Sequence, residues 1–95
     1  MKYFFARWLH DFMDEPTSFY SEIDEHRYEV RKIEIYRDGR FGIATQEFQY
    51  GETELGDQAI PSLAEINEDP KFEAHEISRE EFEQEWLHYL PLRAS

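Results

Sequence analysis

Cysteine is absent from the 95 residues, so the chain has no disulfide framework, no thiolate nucleophile and no cysteine-ligated zinc site. A reducing cytoplasm is the expected location. Basic charge is scarce, with 10 Lys+Arg against 22 Asp+Glu and a formal net charge of −12. That balance disfavours direct phosphate binding by the surface as a whole. No long hydrophobic run occurs. The start, MKYFFARWLHDF, is interrupted by Arg7, His10 and Asp11, which makes it too short and too polar for a signal peptide or a membrane span. Internal repeats and low-complexity tracts are also missing.

What the chain does have is rings. Aromatic residues make up 17% of it, whereas disordered chains are poor in them, so the reading is a folded domain with a small, ring-rich core. The length fits one domain spanning 1–95, because two independent cores would each fall below a comfortable folding size. Charge is unevenly spread along it. Residues 1–26 carry −4, residues 27–51 carry +1, and residues 52–85 carry −10, with Arg93 adding one positive charge near the end.

The first half reads as strands. Residues 2–10 alternate apolar side chains on both faces, as a covered central strand does. A turn at Asp14-Glu15-Pro16-Thr17 leads to a strand over residues 18–23. From Tyr28 to Arg37 the apolar phase slips, which predicts a bulge near Arg31-Lys32 or burial on both faces. Asp38-Gly39 predicts a two-residue type I′ hairpin that sets Tyr36 opposite Phe41 and Ile35 opposite Gly42. Residues 50–58 have no period and read as a loop. Ser62 then caps a short helix over residues 63–68, stopped by Asp69-Pro70. Ser78-Arg79-Glu80-Glu81 is a second capping-box pattern, with Ile77 and Phe82 placed as a hydrophobic staple. Phe82, Trp86, Tyr89 and Leu90 form one helical stripe that ends at Pro91. The fold class expected is therefore α+β: an antiparallel meander of about four strands within residues 2–48, with a short helix and a C-terminal helix packed on one face.

Catalytic signals are weak. His10, His26, His75 and His88 lack metal-ligand spacing, so no metal and no cofactor are expected. His10-Asp11 has the residue types of an acid/base pair, but neighbours on a strand point to opposite faces. Nucleophile-elbow, phosphate-loop and dinucleotide patterns are missing, which argues against an enzyme. The basic stretch Arg27–Arg40 interleaves with tyrosines. Its net charge of about +1 suits pairing with the acidic half better than nucleic-acid binding.

Several stretches together resemble a group of small bacterial proteins that carry a domain of unknown function. They are Trp8-Leu9-His10-Asp11, Tyr20-Ser21-Glu22-Ile23-Asp24, the run from Glu29 to Arg40, the run from Ile60 to Asn67, and Ile77-Ser78-Arg79-Glu80-Glu81-Phe82. The resemblance implies no activity. By size and charge alone, such domains are similar to immunity proteins that neutralise toxins, often basic nucleases. A strong acidic field accelerates encounter with a basic protein. The function expected is thus a non-enzymatic protein that occludes a basic partner. Its candidate contacts are Glu52, Glu54, Asp57, Glu68, Asp69, Glu73, Glu76, Glu80 and Glu83. Two other readings stand beside it: a nucleic-acid mimic, and a small hydrolase using His10 or His75 with carboxylates.

Overall fold

The computed structural model describes residues 1–94. Strands β1 (Lys2–Trp8), β2 (Ser18–Ile23), β3 (Glu29–Ile35) and β4 (Phe41–Thr45) form the expected antiparallel meander. Two more strands extend it, one at each edge. The two-residue β5 (Gln49–Tyr50) pairs with β4. After helix α1 (Leu63–Asn67), strand β6 (Phe72–Ile77) returns beside β1, giving the sheet order β5-β4-β3-β2-β1-β6. Helix α2 (Arg79–Tyr89) and a 3₁₀ turn (Leu90–Ala94) complete the described chain. The sheet therefore has six strands where the sequence predicts about four. The sixth escapes because half of Phe72–Ile77 is charged or His, and its pairing is dictated by β1, nearly seventy residues away in sequence.

Alternation along the strands divides the apolar residues between two faces. On one face Tyr3, Ile33, Ile43 and Ile77 meet Phe82 and Trp86 of α2. Phe82 is fully buried there, with its ring 5.3 Å from Tyr3 and 6.2 Å from Trp86. The α2 stripe behaves as expected, and so does its N-terminus, where the Ser78–Glu81 capping box forms in both directions. The other face buries Phe4, Ala6 and Ile23 against Phe19, Ile60, Leu63 and Ile66. The two helices thus cover opposite faces of the sheet, which corrects the expectation that both pack on one. At α1 the capping is half formed. Ser62 accepts from the Glu65 amide, but the Glu65 carboxylate is bonded to the Ser62 hydroxyl instead of the Ser62 amide.

Two local registers also differ from expectation. Ile35 pairs with Phe41 and Glu34 with Gly42, and the Tyr36 amide donates to the Arg40 carbonyl at 2.8 Å, so the hairpin loop is the three residues Arg37-Asp38-Gly39. Only Gly39 has a positive φ, at 94°. Asp38 stays out of the left-handed region and its carboxylate accepts from the Arg40 amide and Nε. Those bonds favour the three-residue loop over the type I′ turn. The phase slip in β3 is a bulge, but it lies at Val30: Glu22 pairs with Arg31 and Ile23 with Glu29. Gly42 is required by packing, because a Cβ there would collide with the Thr53 side chain.

The β6 edge is guarded by a side chain. Asn67 donates from Nδ2 to the Ala74 carbonyl (2.8 Å) and accepts at Oδ1 from the Ala74 amide (2.7 Å), which are the two bonds a neighbouring strand would make. Exposed edges invite pairing with other chains. Asn67→Ala is expected to lower stability by about 1 kcal/mol and to make the protein self-associate at lower concentration than wild type. Sedimentation across a concentration series checks this; unchanged sedimentation would show that the edge needs no guard.

Candidate functional site

The nine carboxylates singled out in the sequence fall into separate groups. Glu52, Glu54 and Asp57 lie on the loop after β5, and Glu68 and Asp69 on the turn after α1. Glu73 and Glu76 sit on β6, while Glu80 and Glu83 belong to α2. Since β5 and β6 are opposite edges, roughly 24 Å separates the extremes at about 4.8 Å per strand. Eight of the nine are exposed, and only Glu83 is in an ion pair among the described residues.

The partner of Glu83 is Arg31, at 2.8 Å. Arg31 also grips Glu22 through Nε (2.6 Å) and Nη2 (3.2 Å), a two-pronged contact. Tyr3 donates its hydroxyl to the other side of the same carboxylate, at 2.8 Å. The guanidinium lies over the rings of Phe82 (4.8 Å) and Trp86 (5.0 Å). Burial alone would raise the Glu22 carboxyl, but the hydrogen bonds from Arg31 and Tyr3 more than offset it and hold the group below its usual range. Glu83 therefore serves the fold.

The basic stretch is expected to pair with the acidic half, but among the described residues only the Arg31–Glu83 contact does so; its other carboxylate partners, Glu22, Glu29 and Asp38, lie in the first half, and the remaining bonds go to backbone carbonyls. Arg27 has φ of 68°, and its side chain donates to the carbonyls of Ile60 (2.8 Å) and Pro61 (2.7 Å). Lys32 bonds Glu29 (3.1 Å) and the Glu54 carbonyl (2.9 Å). Glu29 also accepts from the Gly56 amide at 2.7 Å, and Thr53 donates to Glu34 at 2.7 Å. Through these residues β3 fastens an irregular loop across the α1 face of the sheet. Burial pushes the Glu34 carboxyl up, and the Thr53 hydroxyl only partly relieves it.

Beside this loop lies a cleft of about 420 Å³ between α1 and the sheet. Its apolar walls are Phe4, Ala6, Phe19, Ile60, Ile66 and Phe72, with Ser21, Glu29 and Lys32 at one end and Glu65 and Asp69 on the α1 side. Sequence reasoning missed it. The available signal was Ser21 and Lys32, polar residues cross-paired on the same face as Phe4 and Phe19. Trp8 is half-buried at the sheet end, stacked on Phe72 at 5.8 Å and flanked by His10 and Phe12.

His10 is held by the backbone at both ring nitrogens. Nδ1 accepts from the Phe12 amide (2.9 Å) and Nε2 donates to the Pro16 carbonyl (2.9 Å). His75 is exposed and packs on Phe5 at 5.5 Å. Among the described residues no group of three His, Asp or Glu side chains is placed to hold a metal ion, and no helix is long and apolar enough to cross a membrane.

Arg31→Met is expected to cost about 3 kcal/mol at neutral pH, because Glu22 is left buried without its cation. Glu22 is held below its ordinary 4.5, so the network's contribution is complete above that pH and fades as pH falls through the lower folded-state value. The penalty of Arg31→Met should shrink accordingly in acid; an equal penalty at both pH values, by urea unfolding, would deny the charge its role. Glu34 has the opposite sign. Its raised carboxyl costs stability at neutral pH, so Glu34→Gln should stabilise there, with the gain vanishing below the ordinary value of 4.5.

No curated protein and no solved structure matches the chain. Residues 2–91 do match a family described as a domain of unknown function, DUF6881. That match spans nearly the whole sequence, and the chain belongs to this family.

Proposed function

We propose that the protein is a non-enzymatic binding protein that occludes a basic protein partner, in its most concrete form a bacterial immunity protein that inhibits a toxin nuclease. The observation that carries this reading is the set of eight exposed carboxylates that are in no ion pair among the described residues. Meanwhile Arg27, Arg31, Lys32, Arg37 and Arg40, half of the ten basic residues, are bound within the molecule. The uncompensated field is therefore negative, which attracts a cationic surface and speeds its encounter.

Size selects which carboxylates act together. A standard interface covers about 800 Å² per partner, a small part of the 6208 Å² surface. One partner therefore covers only part of that surface, and we assign to it the edge that carries more carboxylates. The denser run includes and flanks β6, where Glu68, Asp69, Glu73, Glu76 and Glu80 occur with Lys71 and Arg79 as the only Lys or Arg among them. Of these a few would dominate, since binding energy concentrates in few residues.

The test is affinity capture at low and high salt, followed by association kinetics with the protein captured. A basic partner is expected, with an association rate that falls about tenfold or more when Glu68, Asp69, Glu73 and Glu76 become amides. The same change at Glu52, Glu54 and Asp57 should do little. A partner whose binding ignores both salt and these substitutions would overturn the proposal; one displaced by duplex DNA would move it toward nucleic-acid mimicry.

A further inference from the structure

We infer that the cleft between α1 and the sheet receives a large apolar side chain flanked by Lys or Arg, presented by the basic partner. This deepens the binding reading above and rests on it. The cleft is apolar where it is deep, with Phe4 and Ala6 buried and Phe19, Ile60, Ile66 and Phe72 half-buried around them. Its volume of about 420 Å³ lies within the usual range for ligand sites, roughly 300–1,000 Å³. The protein's own side chains do not close it. Helix α1 has five residues, none of them buried, and at about 1.5 Å per residue it is too short to cover a six-stranded face.

Charge decides what fits. At the inner end Lys32 is matched by Glu29 at 3.1 Å, so that end is neutral. On the α1 side Glu65 and Asp69 are exposed and are in no ion pair among the described residues. An apolar group that enters between them brings its flanking residues against two unpaired carboxylates, and cations suit that position. Asp69 also belongs to the carboxylate group at the β6 edge, so the cleft is continuous with the surface assigned to the partner.

The probes are three short peptides, acetyl-Lys-Phe-Lys-amide, acetyl-Glu-Phe-Glu-amide and acetyl-Lys-Gly-Lys-amide, titrated at millimolar concentration into the ¹⁵N-labelled full chain. The Lys-Phe-Lys peptide should shift the amides of Ala6, Phe19 and Ile66 saturably, and the other two should bind at least about threefold more weakly. The doubly neutralised variant E65Q/D69N keeps an amide oxygen to accept from the Ser62 hydroxyl and the Lys71 amide that the two carboxylates now bind, and it should weaken the first peptide by a similar factor while the amide spectrum away from α1 stays that of the wild type. Ala6→Leu, which fills the cleft, should abolish the shifts; the rim variant serves alone if that chain does not fold. Equal binding of the Glu-Phe-Glu peptide overturns the inference, as does the absence of saturable shifts. Shifts confined to carboxylates outside the cleft, equal for both lysine peptides, overturn the cleft while leaving the basic-partner reading in place.

Discussion

The fold depends on one cation held in a nearly dry place. Arg31 projects from β3 toward α2 and touches two other elements at once: Glu22 on β2, and on α2 both Glu83 and the Phe82 and Trp86 rings. A buried ion pair is often no better than well-packed apolar residues. Here, though, every partner contributes direction. The fork on Glu22 fixes the β2–β3 register next to the Val30 bulge, and the Glu83 contact fixes the rotation of α2 about its axis. A leucine at position 31 would supply area without either constraint.

That arrangement leaves the two faces of the sheet unequal. The α2 face is closed by an eleven-residue helix whose aromatic stripe interlocks with Tyr3, Ile33 and Ile43. The opposite face is closed by a loop and one short turn of helix, fastened mainly by polar side chains of β3 and by Arg27. Polar fastening holds backbone at points, whereas apolar packing fills area. The face held at points is the one that keeps an open cleft.

Much of the architecture was legible because it is local. Capping at Ser78, the Phe82–Leu90 stripe and the first four strands are set by residues within one element or its turn. What was not legible depends on partners far away in sequence. Strand β6 has weak alternation because it is an edge, and its register comes from β1. The three-residue loop at Asp38 depends on a bond to Arg40 that competes with the familiar Asp-Gly geometry. Arg31 reads in the sequence as one more charge in a basic stretch, and nothing local marks it as half-buried beneath α2. The acidic surplus was legible as a sum, while its division between two sheet edges required the topology.

The β6 edge joins two properties that usually conflict. A surface that recruits a partner must be exposed, and an exposed strand edge recruits indiscriminately through its backbone. Asn67 resolves this by occupying the Ala74 backbone groups with its amide, while Glu73 and Glu76 extend from the same strand into solvent. Backbone pairing carries little information about the partner, whereas charge does. With the backbone engaged at its middle, the edge is left with its side chains, and on the binding proposal an acidic edge beside an apolar cleft would discriminate by the sign of the charge that accompanies the apolar group.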